Sequence, residues 1–359
     1  MQGEVVYLYA FDVANEIATE KIHDILASKP FPFEIRTDHT VPKDVPLYRP
    51  LAIEPPAMAA RLGGRKVRLL VRVYDVGVVS IAMHVPFGVE SLAELLPYHK
   101  SVLDNGLTLD QAARDLCSDV CKSLADALID RSPPSEPEAY TAFCLTDVGP
   151  EQEAAQWLAA NSQAVAELLT ESKPGELSKT QIAEVLRIQR SYTKTDIVVI
   201  DWDAALVIDL GGYFDDVLYV LELANLQLEE YRVMDHRLDR HLDRAYDDLK
   251  RRRFGLFGTY SATLARLRLF RVDVTKLSDE VTHISKFFGD WYLARVYLGA
   301  AERFYLNQWR VSGEDRLGQL DRLYSVVNAD INNRRMVVLE VLVLVFFAID
   351  LLLIVFLRR

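Results

Sequence analysis

The sequence predicts an α+β head, a long helical hairpin or coiled-coil stalk, and one C-terminal transmembrane helix. Three observations predict this architecture. Short β-branched runs alternate with helical apolar spacing before residue 213. Apolar residues then recur three and four positions apart over a long stretch, and the last segment is almost wholly apolar. The predicted boundaries are 1–131 and 138–212 for two α/β modules, 213–335 for the stalk and 336–357 for the span.

The composition excludes several classes of protein. The 359 residues are 50% hydrophobic and 26% charged, which is too apolar for a disordered chain. With 52 acidic and 41 basic side chains the net charge is −11, so no strong positive field is available to hold phosphates. Nucleic acid is therefore not expected as a partner. Three cysteines imply no disulfide framework and indicate a reducing compartment.

The first module opens with a strand over Val5–Phe11, which is rich in Val and Tyr. Val13–Ser28 follows with apolar residues at helical spacing, and Lys29–Pro56 is a proline-rich irregular excursion. Two β-branched runs, Val67–Tyr74 and Val78–Pro86, then predict a hairpin with a short loop. The module ends in two helices, which are predicted over Leu92–Leu96 and Thr108–Asp130.

The same order recurs after a proline-rich linker, Arg131–Glu138. A strand over Ala139–Val148 and a helix over Glu151–Thr170 precede a second hairpin, which joins Ile197–Asp201 to Ala205–Ile208. Both hairpins place an aromatic residue before Asp at the turn. This order predicts a duplicated strand–helix–hairpin module that shares one mostly antiparallel sheet. The alternative is coincidence, because aromatic residues and Asp are ordinary neighbours of turns.

The stalk is predicted from heptad spacing on two long helices. The first begins near Val217 and has one polar break at Asp235, and the second has a candidate N-cap at Ser278. An apolar stripe on the second helix runs through Phe287, Trp291, Leu298, Phe304 and Leu306, before Gly313 interrupts it. The stalk seam consists of the repeating apolar positions Leu221, Leu228, Leu238, Leu242, Leu317, Leu320, Tyr324, Val327 and Ile331. These helices can pair within one chain or between chains.

The apolar span, Met336–Leu357, contains only two residues that are not apolar. As a helix it reaches about 33 Å, which is enough to cross a hydrocarbon core of about 30 Å. Four arginines flank it and suit headgroup anchoring: Arg334, Arg335, Arg358 and Arg359. The alternative is a buried core helix. The heptad register continues into the span seam, which consists of Val338, Val341, Val345, Ala348 and Leu352.

Two acids, Glu340 and Asp350, interrupt the apolar span. A charged side chain at the bilayer centre costs at least about 2.5 kcal/mol, so both acids are expected to face other protein. Self-association of the spans or a hydrated ion path would provide that environment. The alternative is that both are protonated or drawn to the interfaces. Because no signal peptide opens the chain, the head is expected on the cytoplasmic side of the inner membrane, and the protein to be tail-anchored.

No catalytic or cofactor motif is found, so the sequence predicts neither an enzyme nor a cofactor. Gly63-Gly64 is read as a turn, and the acids around Gly211-Gly212 disfavour an anion site. Cys117 and Cys121 are read as buried small residues rather than metal ligands. The Asp- and His-containing stretch 235–243 is interleaved with arginines and reads as a solvated helix face. The basic cluster 250–253 reads as a helix end, with lipid headgroups or RNA as alternative contacts.

The C-terminal 150 residues or so resemble the required-for-meiotic-nuclear-division (Rmd-type) family, whose function is unknown. The resemblance is carried by Asn332-Asn333-Arg334-Arg335, by Leu339-Glu340 and by Asp350 ten residues later. The helix Leu221–Tyr246 is similar in character. The family usually has Trp after the first acid, where this chain has Val341, and the first 135 residues have no counterpart in it. The resemblance implies a membrane-attached, self-assembling scaffold and carries over no catalytic residue.

These features predict a tail-anchored, self-associating scaffold or tether. Its expected partners are the lipid bilayer, further copies of the chain, and a protein at the head. The alternative function is a subunit of an oligomeric channel or transporter, in which Glu340 and Asp350 line the packed spans.

Overall fold

The computed structural model describes residues 1–26, 28–32, 50–55, 60–132, 136–149, 153–250 and 291–357. The chain divides into two compact units. The described residues of the first unit lie within 1–233 and 291–308, and they are mixed α/β with a large sheet. The described part of the second unit consists of 234–250 and 309–357, and it is helical.

The described residues form thirteen strands and seven α-helices. The strands are β1 (Gln2–Asp12), β2 (Ala14–Ile17), β3 (Phe31–Pro32), β4 (Leu51–Ile53), β5 (Arg61–Leu62), β6 (Arg65–Lys66), β7 (Arg68–Val73), β8 (Val78–Gly88), β9 (Leu128–Arg131), β10 (Glu138–Asp147), β11 (Gln189–Arg190), β12 (Asp196–Ile200) and β13 (Ala204–Asp209). The helices are α1 (Leu109–Ser123), α2 (Ala154–Ala160), α3 (Ser162–Leu169), α4 (Lys179–Val185), α5 (Asp215–Lys250), α6 (Trp291–Arg303) and α7 (Leu306–Leu357). Thr19–Lys21 and Leu92–Lys100 are 3₁₀ helices.

Nine strands form one sheet in the order β11-β12-β13-β10-β1-β8-β7-β4-β3. Every neighbouring pair is antiparallel except β10 and β13, which are parallel. The central strand β1 is buried on both faces, which explains why Val5–Phe11 is a continuous apolar run instead of an alternating one. The predicted mostly antiparallel sheet is therefore confirmed.

Alternation along the strands assigns each side chain to one of two faces. Tyr7 and Phe11 of β1 join Val71 of β7 in the main apolar core, to which α1, α2 and α3 contribute Leu116, Trp157 and Leu168 among others. The second face carries Arg72 of β7, which pairs with Glu222 of α5. On the same face Tyr140 of β10 packs edge-on against Phe304, which follows α6. The sheet thus lies between two helical layers.

Both predicted hairpins are confirmed. β7 and β8 pair across Asp75–Gly77, and β12 and β13 pair across Trp202 and Asp203. The predicted strand over Ala139–Val148 is β10. Gly63 and Gly64 form the turn between β5 and β6, and their N–H groups donate to the Asp104 carboxylate at 2.8 and 2.9 Å. The predicted turn is therefore correct and is held by a side chain from a distant loop.

The helix predicted over Val13–Ser28 is wrong. This segment forms β2, which pairs with β9, and then the short 3₁₀ turn at 19–21. Its backbone is held by the first hairpin, because Val13 N donates to Gly77 O at 3.0 Å and Ile17 N donates to Asp75 O at 2.9 Å. These tertiary hydrogen bonds satisfy backbone groups that a helix would use internally. The excursion Lys29–Pro56 contributes β3 and β4, while 33–49 lies outside the described residues.

Two predicted helices are shorter than expected. The helix predicted over Thr108–Asp130 ends at Ser123, and the chain then turns into β9. The helix predicted over Glu151–Thr170 is divided at Asn161 into α2 and α3. The Asn161 side chain donates to Trp157 O at 2.9 Å, a local bond that competes with helix continuation. Glu151 itself lies outside the described residues.

The two modules are not structural copies of each other. β1 is antiparallel to β8, whereas β10 is parallel to β13. A parallel pair needs a long crossover, and the described helices α2–α4 lie between β10 and β12. Between β1 and β7 the described residues contain no α-helix. The repeated order of sequence signals therefore overstates the similarity of the two halves.

The long helices differ from the prediction in where they break. α7 runs without interruption from Leu306 to Leu357, so Gly313 does not end a helix. The break falls at Phe304 and Tyr305, where Tyr305 has φ +54°. Trp291 and Leu298 are exposed, so the apolar stripe predicted through them is wrong for those two positions. Ser278 and Phe287 lie outside the described residues.

Candidate functional site

The most distinctive surface of the described chain is the apolar end of α7. Met336–Ile354 has a mean hydropathy of 3.0, and 0% of it is buried within the chain. By length and composition this segment can cross a membrane. The alternative of a core helix requires burial, which the described residues do not provide. Because Leu306–Leu357 is one helix, the segment continues directly from the helical part of the second unit.

Both predicted membrane acids lie on the exposed surface of this helix. Glu340 and Asp350 have neither a hydrogen bond nor an ion pair with any of the described residues. The side chains of Arg334 and Arg335 lie outside the described set, as do Arg358 and Arg359 entirely. Their predicted role as headgroup anchors stays a prediction.

In the second unit α5 and α7 pair within one chain. Arg316 of α7 contacts Asp235 at 3.1 Å and also bonds to Asp239. A Cβ atom on Gly313 would lie 2.5 Å from the Met234 side chain, so glycine permits the close approach there. Since 234 meets 313 and 239 meets 316, the two helices run in the same direction. The described pair is therefore not an antiparallel hairpin.

The residues of the predicted stalk seam divide between the two units. Leu221 and Leu228 are buried in the first unit, where α5 covers the sheet. Leu238 and Leu320 are 0% exposed in the second unit. Leu317 is buried there too, and Leu242 is half-buried. Tyr324, Val327 and Ile331 lie on α7, and their side chains are outside the described set. A coiled coil between chains stays a prediction.

A buried ion pair joins α5 to the sheet. Arg72 of β7 bonds to the Glu222 carboxylate, and Tyr74 donates to the same carboxylate at 2.8 Å. Arg72 also lies over the Tyr219 ring, 5.6 Å from its centroid. Burial, and then the charge of Glu222, raise the pKa of Tyr74 well above its ordinary value, so Tyr74 stays a hydrogen-bond donor. Charges at this depth are tolerated only when they are paired.

Further polar contacts join α5 to the same face of the sheet, and α6 to α4 and to the turn between β12 and β13. Arg303 of α6 bonds to Asp201 and contacts Glu184 at 2.9 Å. The Asn225 side chain donates to Glu138 O at 3.0 Å, and Arg232 bonds to the Glu138 carboxylate. These charged and polar contacts add to the apolar packing of α5 against the sheet. Together they form a structural joint between the helices and the sheet.

These joint residues were not singled out from the sequence, although a signal was present. The stretch Val217–Leu228 is apolar around the whole helix except at Glu222, Asn225 and Gln227. All three are buried. Polar residues inside a helix that is apolar all round indicate buried partners. Arg316 was also missed, because its partner Asp235 was read as a break in the seam and as part of a solvated helix face.

The other sequence motifs do not form a site. Cys117, Cys121 and Cys144 are free thiols. The side-chain hydrogen bond between Cys117 and Cys121 raises the pKa of Cys117 and lowers that of Cys121. No group of three or more metal-ligating side chains is brought together among the described residues. The stretch 235–243 supplies Arg316 with its partners instead.

One apolar cleft opens on the main-core side of the sheet. Its volume is about 240 Å³, and its walls include Leu69 of β7, Met83 of β8 and Leu116 of α1. Asn105 and Asp115 are its polar lining residues. The cleft is large enough for a small apolar group but presents no array of convergent polar groups that would define a reaction.

Comparison with known proteins covers the α/β part of the chain. The sequence is 22% identical over 189 residues to the uncharacterized protein MJ0711 of Methanocaldococcus jannaschii. The match covers 53% of this chain and 57% of that protein, so the chain spans little more than half of the curated relative's length. No solved structure matches the chain.

The Rmd-type resemblance concerns the other end of the chain, and these comparisons do not support it. The family match covers residues 2–215 and ends where α5 begins. That segment includes the first 135 residues, for which the sequence had suggested no relative. Since the match covers more than half of the chain, the protein belongs to the family described as the N-terminal domain of uncharacterized protein MJ0711.

Proposed function

We propose that the protein is a membrane-anchored, self-associating scaffold or tether. Its α/β head would lie on the cytoplasmic side of the inner membrane and present a surface to a protein partner. The observation that carries this proposal is the exposed apolar end of α7, Met336–Ile354. The Rmd-type resemblance implies the same kind of protein.

The hydrophobic effect supports the membrane placement. Large apolar side chains are exposed along the whole segment, and Leu344, Phe346 and Phe347 are each 65–69% exposed. Burying one such side chain is worth roughly 1.5–3 kcal/mol, so the segment gains tens of kcal/mol from leaving water. Soluble monomers rarely expose apolar patches of more than a few hundred Å². A bilayer core would provide the burial that the described part of the chain does not.

Self-association is proposed through the span seam. α5 runs beside α7 from the contact of Met234 with Gly313, so its last described residue, Lys250, comes opposite about residue 329. No other described helix accompanies 336–354. The span seam occupies one face about 80° wide, and a second copy can pack on it.

The alternative function, a channel or transporter subunit, rests on Glu340 and Asp350. Acids in a span line ion paths when several copies assemble. Vesicles containing the protein would then conduct ions, and the Glu340→Leu, Asp350→Leu double variant would not. If neither form conducts ions, the channel proposal is wrong. No observation favours an enzyme over these two proposals.

The first prediction concerns the span seam. Replacing Val341 and Ala348 with Trp should lower the particle mass in mild detergent from an oligomer to a monomer, because bulky rings keep the spans apart. The expected weakening of association is at least about tenfold, or about 1.4 kcal/mol. Light scattering of the full chain measures the mass directly.

The matched control is Leu353→Trp, which lies about 100° around the helix from the centre of the span seam. This variant should keep the wild-type mass. If the control and the seam variant dissociate equally, the loss reflects general damage to the span. A monomeric wild-type protein would refute self-association and leave a simple tether.

A further inference from the structure

A second stripe of residues marks the surface of the apolar span. It repeats at alternating steps of four and three, like the span seam. The acidic stripe consists of Met336, Glu340, Val343, Phe347, Asp350 and Ile354. At 100° per residue these positions fall within about 80° of each other, and their centre lies about 160° from that of the span seam. The two acids therefore belong to one coherent face.

The face proposed for self-association and the face that carries the acids thus lie on nearly opposite sides of the helix. When two spans pack through the span seam, each acidic stripe points away from the pair. In the described chain both acids are exposed, and neither has an ion-pair partner among the described residues. An unpaired charge near the centre of the bilayer costs at least about 2.5 kcal/mol. A partner that contacts the acidic stripe would remove this cost.

A second copy of this chain cannot supply cations at that depth. No Lys, Arg or His occurs between Arg335 and Arg358. Two copies could meet through their acidic stripes only if the carboxyl groups were protonated. A basic side chain from another protein compensates the charge directly, because opposite charges attract strongly where the dielectric constant is low.

We propose that the acidic stripe binds the transmembrane helix of a different membrane protein that carries two basic side chains. Glu340 and Asp350 are about 15 Å apart along the helix axis, so the partner's Lys or Arg residues lie about ten positions apart. Val343 and Phe347 lie between the acids and supply apolar contact. The inference rests on the membrane placement proposed above but is independent of self-association.

Energy transfer in lipid vesicles tests this inference. The full chain carries a donor dye on the head, and the probe is a Leu-rich spanning peptide with an acceptor and two lysines ten positions apart. The expected result is saturable energy transfer with this peptide. The Glu340→Gln, Asp350→Asn variant should weaken it at least tenfold, because the neutral amides no longer attract the lysines.

Two matched controls sharpen the test. Exchanging neighbours, with Ile349→Asp and Asp350→Ile, keeps the composition and nearly the depth but turns one acid about 100° around the helix. This variant should also lose binding. A peptide with its lysines twelve positions apart places them on different faces and should bind more weakly than the matched peptide.

Three results would overturn the inference. A lysine-free peptide could bind as tightly as the matched peptide, or the neutral variant could bind the matched peptide as tightly as the wild type does. In the third, the neutral variant would lose the oligomer but keep peptide binding. The last would assign the acids to contacts between copies. Flotation of the same vesicles distinguishes a failure of the acidic-stripe inference from a failure of the proposed membrane attachment. Protein that floats without energy transfer contradicts only the acidic stripe, whereas protein that does not float contradicts both.

Discussion

Replacing Glu222 with Leu should destabilise the protein by about 3–5 kcal/mol, because the variant leaves the Arg72 guanidinium buried without its carboxylate. Both side chains are at most 5% exposed, so water cannot replace the lost carboxylate as a partner of Arg72. In the same variant Tyr74 can no longer donate to the Glu222 carboxylate. Arg72→Leu should lower the stability by a similar amount, because it leaves the Glu222 carboxylate buried without the Arg72 guanidinium. Urea unfolding followed by circular dichroism measures both losses.

The double variant Arg72→Leu, Glu222→Leu should recover most of the stability lost in either single variant. Replacing a buried ion pair with apolar residues is often neutral or stabilising, because neither charge then has to be desolvated. Lys122→Met is the matched control, since its exposed pair with Asp119 should contribute less than about 1 kcal/mol. Additive losses in the double variant would contradict the assignment of Arg72 and Glu222 as one buried pair.

Gly77→Ala should destabilise the protein by about 2–5 kcal/mol, through two effects that act at one position. Gly77 has φ +95°, which costs a residue with a side chain about 1–2 kcal/mol. An added Cβ would also lie 2.0 Å from the backbone oxygen of Ala14, and overpacking adds about 1–3 kcal/mol. The Gly77 carbonyl accepts from Val13 N and Ala14 N, so any shift also strains β2.

Gly64→Ala separates the two effects. Gly64 has φ +76°, but a Cβ there meets nothing within 4 Å. Its expected cost is only the conformational part, about 1–2 kcal/mol. Thermal or urea unfolding of both variants gives the difference. Equal losses would show that the contact between the first hairpin and β2 is looser than the structure indicates.

Sequence patterns predicted the elements whose signals are local. Both hairpins, β1, β10 and the start of α5 follow from β-branched runs, turns and helical spacing. Local patterns could not separate a helix from a strand over Val13–Ser28. Apolar residues four positions apart suit a helix, but they also suit an irregular chain held by the distant carbonyls of Asp75 and Gly77. Such long-range hydrogen bonds leave no trace in the local pattern.

At the candidate site, too, the sequence predicted features that depend on one segment and missed those that depend on distant residues. The apolar span and its acids are visible in the sequence, because membrane length and charge are properties of one segment. The joint between Arg72 and Glu222 depends on residues 150 positions apart. Heptad spacing predicted a single seam on α5, yet the helix uses Leu221 against the sheet and Leu238 in the second unit. Periodicity identifies a buried face but does not identify what covers it.

Membrane attachment through the end of α7 is the central claim, and alkaline carbonate extraction tests it directly. The full chain should stay in the membrane pellet, because only disruption of the bilayer releases a spanning helix. A chain that ends at Arg335 should move to the supernatant and keep the circular dichroism of a folded α/β protein. Full-length protein that washes off, or a truncated chain that stays in the pellet, would contradict the claim.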